Sequence, residues 1–286
     1  MKKLLKWTGI VLGCLIGLIL IAGVTLYTIG SGAFDKTYEV TPKLTSVTAD
    51  SASLAHGEHL AKIHVCQYCH GDNFEGRVFV DAPPFLVVSS NLTAGKGGIG
   101  QAYSDADWDR AIRHGIKPDG KAVVIMPSKI FNHMSDDDAN ALIAYLKSVP
   151  PVDNELPVTE LRALGAIIAG TGGLGPDEFV NVDPSRSSAP APGPTAEYGA
   201  YLANITCIGC HSDDLRGGVS PNPDLPGPDL APAASWSFDM FAKTMRTGVN
   251  PGGKQMDPEW MPWEAFQYMT DDELTAIHEH LKTLAN

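Results

Sequence analysis

Two copies of a five-residue motif, Cys-x-x-Cys-His, constrain this 286-residue chain more than any other feature. They occupy residues 66–70 and 207–211. Each follows a similar stretch, Gly-Glu-His-Leu-Ala at 57–61 and Gly-Ala-Tyr-Leu-Ala at 199–203. Later matches pair Arg113 with Arg246, Met126-Pro127 with Met261-Pro262, and Met134 with Met269. Repetition across so many positions predicts a duplicated domain.

The motif has the spacing that attaches haem covalently. Two thiols add to the vinyl groups on one porphyrin edge, and the adjacent histidine then lies under the iron. A zinc site would need further Cys or His at close spacing, and a thioredoxin-like dithiol does not require the histidine. We therefore predict two covalently bound haem c groups. The predicted attachment residues are Cys66, Cys69, Cys207 and Cys210, and the predicted iron ligands are His70 and His211.

A methionine sulfur is the common ligand opposite the histidine in such sites, and it favours ferrous iron. Met126 and Met261 are the candidates, because they occupy matched positions and each precedes a proline that can fix a turn. Met134 and Met269 are also matched, but each precedes a helix cap, so we assign them to core packing. Weaker alternatives are Met245, Met256, His114 and His133.

Helix signals dominate the rest of the body. Ser104 and Ser135 each precede an apolar-periodic stretch, where a hydroxyl can cap free N–H groups. Thr270 and Glu273 form a capping-box pattern. We find no convincing alternating strand run. The predicted fold class is all-α, with long loops.

The chain resembles a known family through one specific stretch of the first repeat. That stretch contains Asn91-Leu92-Thr93, Gly98-Ile99-Gly100, Ser104-Asp105-Ala106-Asp107, Arg113-His114-Gly115, Pro118-Asp119-Gly120 and Met126-Pro127. Residues 54 to 286 resemble two class I cytochrome c domains in tandem, and are most similar to the periplasmic cytochrome c subunits of bacterial alcohol, aldehyde and gluconate dehydrogenases. Those subunits usually have three haem motifs and a carboxy-terminal anchor.

The resemblance also implies residues around each haem. A proline carbonyl normally accepts the Nδ1–H of the ligand histidine, and Pro84 and Pro228 match that place. Such a bond fixes the ring and increases ligand basicity. Arg113 and Arg246 are candidates to pair with haem propionates. The alternative is that these arginines are exposed helix or loop charges.

An uncharged run of 23 residues, Trp7 to Ile29, is long enough to cross a membrane as a helix. A cleaved signal peptide is the rival interpretation, but its apolar region is shorter. The basic residues Lys2, Lys3 and Lys6 precede the run, which predicts a cytoplasmic amino terminus and an exported body. Gly9, Gly13 and Gly17 share one face and predict a helix partner, while Cys14 offers a faint lipidation signal.

The predicted domain organisation has five parts. They are an anchor at 1–30, a tether at 31–51, a cytochrome c domain at 52–150, a linker at 151–195 and a second cytochrome c domain at 196–286. The formal net charge of −12 argues against nucleic acid as a partner.

These features predict an electron-transfer protein rather than an enzyme. We expect a dihaem cytochrome, anchored in the bacterial inner membrane by one span, that relays single electrons in the periplasm. Its expected partners are membrane-embedded or periplasmic redox proteins, as donor and acceptor. The alternatives are a dihaem peroxidase, which needs an iron with an open position, and a haem-based sensor acting through a partner.

Overall fold

The structure is a computed structural model that describes residues 2–186, 188–218 and 227–284. The amino-terminal part contains α1 (Lys2–Phe34), α2 (Ser51–Ile63), α3 (Cys66–His70), β1 (Arg77–Ala82), β2 (Phe85–Ser89), α4 (Asp105–His114), α5 (Ser128–Phe131) and α6 (Asp136–Ser148). The remainder contains β3 (Glu160–Leu161), α7 (Ala163–Gly170), α8 (Ala196–Thr206), α9 (Ile208–His211), α10 (Phe238–Thr247), α11 (Trp263–Phe266) and α12 (Asp271–Leu284), with 3₁₀ turns at Pro176–Glu178 and Ala231–Ser235.

The helix ends have the caps that the sequence predicts. The Ser104 side chain accepts from the Asp107 N–H and Ser135 accepts from the Asp138 N–H, at the starts of α4 and α6. Gly115 and Gly248 end α4 and α10 in the left-handed conformation, with φ of 69° and 67°. Since these glycines match in the sequence repeat, both copies stop this helix in the same way.

Each repeat is built on a close crossing of its first and last helices. A Cβ added to Gly57 of α2 would lie 2.0 Å from the Ala141 carbonyl oxygen of α6. A Cβ added to Gly199 of α8 would lie 1.9 Å from the Ala276 oxygen of α12. Glycine therefore lets the backbones touch, and the crossing places the haem motif at the end of α2 or α8 beside the last helix.

The mainly helical architecture with two repeats is confirmed, but the structure adds a small sheet that we did not predict. β1 and β2 form an antiparallel hairpin, and β3 pairs with β2 from the predicted linker. Val-rich β1 and β2 form no simple inside–outside alternation, because most of their residues are half-exposed. The third strand is distant in sequence, so no local pattern indicates the pairing.

The two repeats share one continuous core. Helix α5 of the first repeat contacts α8 of the second, and α11 of the second contacts α2 of the first. Polar bonds also cross the boundary: the Ser135 N–H donates to the Tyr201 hydroxyl at 3.0 Å, and His59 Nε2 lies 2.7 Å from Glu273 Oε1. The repeats are thus packed against each other reciprocally.

The predicted anchor, tether and linker also have defined places. Helix α1 continues to Phe34, and the tether lies along the first repeat, where the Lys43 N–H donates to Asp109 Oδ2 at 2.9 Å. The linker holds β3 and α7, and α7 packs on α1. Met1 and residues 285–286, at the ends of the predicted anchor and second domain, lie outside the described residues.

Candidate haem sites

Both Cys-x-x-Cys-His motifs form a short helix directly after a longer one. Val65, with a φ of 59°, turns the chain from α2 into α3, and α8 runs into α9 at Cys207. The loop after each motif closes in the same way. The Gly76 N–H donates to the His70 carbonyl at 2.7 Å, and the Gly217 N–H donates to the His211 carbonyl at 2.8 Å.

Each motif histidine has one ring nitrogen engaged by a backbone carbonyl. His70 Nδ1 lies 2.9 Å from the Ser90 oxygen, and His211 Nδ1 lies 2.8 Å from the Pro228 oxygen. Because a carbonyl can only accept, Nδ1 carries the proton and Nε2 keeps its lone pair. Burial also lowers the pKa of both histidines. Each site thus presents a neutral, oriented imidazole that is able to bind iron.

The expected role of Pro84 is wrong, because Ser90 supplies the carbonyl in the first repeat. Pro84 lies in the β1–β2 hairpin turn, and its oxygen accepts from the Arg162 N–H at 2.9 Å. The β1–β2 hairpin lies within the loop from His70 to Ser90, which spans 20 residues against the 17 from His211 to Pro228. Leu92, two residues after Ser90, corresponds to Leu230, two residues after Pro228, and this leucine match is the signal that could have identified Ser90.

The four motif thiols lack the character of a redox-active pair. Burial raises the pKa of Cys66 and of Cys207 to about 12, and it also raises the pKa of Cys69 and Cys210. A thioredoxin-like nucleophile needs a lowered pKa. Among the described residues, no group of three or more His, Cys, Asp or Glu side chains could hold a metal ion. The donor set therefore fits covalent attachment of haem better than a dithiol or a zinc site.

The two candidate methionines lie on matched turns. Met126 and Met261 are half-buried and pack against the core. Each is followed by a proline of nearly identical conformation, with φ and ψ of −79° and 51° at Pro127 and −76° and 56° at Pro262. Ile125 has a φ of 72°, an uncommon and strained conformation for a β-branched residue, which marks this turn as constrained.

Met134 and Met269 are different. Their side chains are almost completely buried, at 0% and 2% exposure, and each stands just before the last helix of its repeat. This burial agrees with the core-packing role that the sequence indicated for them.

The arginines predicted to meet haem propionates hold the last helix of each repeat. Arg113 is fully buried and pairs with Asp109 and with Asp136, at 2.6 Å. It also donates to the Met134 carbonyl at 3.3 Å. A buried guanidinium needs such carboxylates, so these ion pairs give Arg113 a structural role, and its pairing with a haem propionate stays a prediction.

Arg246 makes the corresponding contacts in the second repeat. Its Nη2 lies 2.6 Å from Asp271 Oδ1 and 3.2 Å from the Met269 oxygen. This pair is more exposed than the Arg113 cluster. The repeated geometry assigns Arg246 the same structural role.

The second haem motif lies against the first repeat. A Cβ added to Gly209, inside Cys-Ile-Gly-Cys-His, would lie 2.3 Å from Ile130 Cδ1 of α5. Helix α5 directly follows the Met126-Pro127 turn. The second candidate site thus contacts α5, the helix that follows Met126, the candidate iron ligand of the first site.

Family models match both repeats. The model described as "Cytochrome c" matches residues 196–285, and "Cytochrome C oxidase, cbb3-type, subunit III" matches residues 52–146. The fold and the sites therefore define two cytochrome c domains in tandem, and the chain belongs to the cytochrome c family. Cytochrome c domains imply covalently bound haem c.

Similar proteins include cytochrome c subunits of dehydrogenases. An alcohol dehydrogenase (quinone) cytochrome c subunit of Gluconacetobacter polyoxogenes is 30% identical, covering 82% of this chain and 57% of its own length. A gluconate 2-dehydrogenase cytochrome c subunit of Pantoea cypripedii is 28% identical over 82% of this chain and 60% of its own. A dihaem cytochrome c-type protein of Cereibacter sphaeroides is 27% identical, covering 72% and 73%. The chain thus spans about three-fifths of the dehydrogenase subunits that it matches.

Proposed function

We propose that this protein carries two covalently bound haem c groups and relays single electrons between them on the periplasmic side of the inner membrane. In this proposal it is the anchored cytochrome subunit of a respiratory or dehydrogenase complex. The proposal is supported by the duplicated motif geometry and by relatives named as cytochrome c subunits of dehydrogenases.

The chain's own residues prepare each site for rapid electron exchange. When bound, haem supplies a one-electron ferric–ferrous couple. Cys66 and Cys69, and in the second repeat Cys207 and Cys210, would hold it. The hydrogen bonds to Ser90 and Pro228 fix the imidazole rings of His70 and His211, and rigid ligands limit the rearrangement that accompanies a change of charge.

The sulfur ligands are the second part of the proposal. Met126 and Met261 would complete the coordination from matched Met-Pro turns. A thioether at this position stabilises the ferrous state and raises the potential.

The observation that carries the relay is the packing of the second haem motif against the first repeat. Gly209 of the second motif touches Ile130 of α5, and one core runs through both repeats. Since the described parts of the two repeats pack against each other, an electron entering one domain has a short route to the other.

Redox titration of the purified protein tests this function. We expect two one-electron transitions, with Met126→Ala and Met261→Ala each lowering the potential of a different one. Met134→Leu is the matched control, because it keeps the volume of a buried methionine and should leave both potentials unchanged. One transition, or two that neither alanine variant moves, would contradict the proposal.

Membrane association and partner are tested together by purification in mild detergent. The most apolar stretch of α1 has no buried residue, so its surface is open to lipid or to another helix. Gly9, Gly13 and Gly17 have no atom within 4 Å of an added Cβ. We expect a dehydrogenase catalytic subunit to co-purify, and Gly13→Leu to weaken this more than the control Ala22→Leu on the opposite face of the helix. Co-purification that both variants leave intact would exclude the glycine face.

A further inference from the structure

The predicted linker contains an uncharged loop that folds back beside the long apolar helix. Residues 163–175 include no charged side chain, and α7 forms their first part. A Cβ on Gly30 of α1 would lie 1.9 Å from the Ala166 oxygen, and a Cβ on Gly170 would lie 2.0 Å from the Leu26 oxygen. Gly30 of α1 thus lies against Ala166, and Leu26, one turn earlier in α1, lies against Gly170. The helix α7 therefore runs antiparallel to α1 and toward the apolar middle of α1.

Three ion pairs mark one level at which both apolar segments end. Asp35 and Lys36 directly follow α1. Asp35 pairs with Lys121 at 2.8 Å, and Lys36 pairs at 2.6 Å with Asp177, which lies just after the loop. Arg162, directly before α7, pairs with Asp81 at 2.8 Å. We call these six residues the charged collar. It separates the apolar loop and α1 from the rest of the body.

The outer side of the loop is apolar and uncovered. Leu164 and Ile168 are 48% and 40% exposed, although they lie on a helix whose other face packs on α1. This surface is continuous with the exposed side chains of α1, among them Val24 and Tyr27. A surface that continues a membrane-spanning helix, on the far side of a charged collar, faces lipid rather than water.

We propose that residues 163–175 form a second membrane contact, a hairpin that dips into the outer lipid leaflet beside α1. The inference rests on the proposed function, because it requires α1 to be a retained anchor. The turn of the hairpin satisfies part of its own backbone: the Thr171 N–H donates to the Ile168 oxygen at 3.0 Å and the Gly172 N–H to the Ala169 oxygen at 2.9 Å. Irregular backbone cannot lie unpaired in hydrocarbon, so the tip stays within the interfacial layer.

The hairpin at 163–175 would orient the body of the protein on the membrane. Gly165 contacts Pro84, since an added Cβ would lie 2.2 Å from its oxygen, and Arg162 pairs with Asp81 of β1. Both contacts are with the β-hairpin of the first repeat. The domain with Cys66 and Cys69 is therefore the one that adjoins the bilayer, and the second domain reaches farther into the periplasm.

Carbene photolabelling of the full haem-loaded chain in vesicles of phosphatidylethanolamine and phosphatidylglycerol tests this inference. A reagent that partitions into the bilayer should label α1 and peptide 163–175, the latter at least about five-fold above the peptide containing Val158. Val158 is the matched control because it is apolar and 84% exposed but lies outside the hairpin. Ile168→Asp should reduce labelling of 163–175 by about five-fold while α1 stays labelled, and Val158→Asp should have no effect.

Failure of the inference and failure of the anchor give different results. If α1 is labelled and 163–175 remains at the level of the Val158 peptide, the hairpin contact is overturned and the anchor stands. If neither is labelled, the retained anchor fails and the inference with it. Because the vesicles hold no other protein, labelling of 163–175 establishes lipid, not a partner chain, as its occupant.

Discussion

The close helix crossing of the second domain gives the sharpest stability prediction. Gly199→Ala would place a methyl carbon 1.9 Å from the Ala276 carbonyl oxygen, a separation that real Cβ contacts do not show. The helices α8 and α12 would have to move apart by about 1 Å, and overpacking of a filled core costs about 1–3 kcal/mol. We expect the upper end, about 3 kcal/mol, because the opposing atom is backbone and cannot rotate away.

That cost is a large fraction of the roughly 5–15 kcal/mol that holds a typical protein folded. For a unit of this size, about 2–4 °C of melting temperature is lost per kcal/mol, so Gly199→Ala should melt about 6–12 °C below the unsubstituted protein. Circular dichroism of the purified haem-loaded protein during heating measures the melting temperature. Gly57→Ala should behave alike in the first domain, where the Cβ would lie 2.0 Å from Ala141 oxygen.

Gly175→Ala is the matched control. It has no atom within 4 Å of an added Cβ and a φ of −141°, so its melting temperature should not fall. If Gly199→Ala melts within about 1 °C of the unsubstituted protein, the backbone contact is not the constraint that we describe.

Two further predictions concern ion pairs. Arg113→Ala should lower the free energy of unfolding by about 3–5 kcal/mol, because it leaves the fully buried Asp109 without its cationic partner. Arg246→Ala, at a more exposed pair, should lower it by about 1 kcal/mol or less. Chemical denaturation measures both losses, and equal losses would contradict the assignment. The hydrogen bond that protonated His56 donates to Asp138 raises the pKa of His56 above 6.5, so the contribution of this pair to stability is complete below pH 6.5 and is lost as pH rises through the folded-state pKa of His56. The melting temperature should therefore decline above pH 6.5, and His56→Gln should show a smaller decline in the same scan.

The sequence predicted the parts of the fold that repeat. Duplicated motifs, matched caps at Ser104 and Ser135 and matched Met-Pro pairs each have a local physical reason, so a single sequence shows them. The crossing glycines, Gly57 and Gly199, were visible as matched positions, but their reason lies in helices that are distant in sequence.

The wrong prediction lies in the loop after the first motif. The resemblance pointed to a proline carbonyl, and Pro84 lies in the β1–β2 hairpin of that loop, whereas Ser90 supplies the carbonyl. The predicted linker contains α7, and its packing on α1 depends on residues distant in sequence, which no local pattern shows. The carboxylate partners of Arg113 come together through tertiary packing, which no local pattern shows.

The mass of the intact, denatured protein tests the central claim most directly. Covalent haem survives denaturation, so the account predicts the polypeptide mass plus two haems, and one haem less when Cys207 and Cys210 are both replaced by alanine. A protein that carries a single haem or none, after expression with the haem-attachment machinery, would contradict the two-site relay.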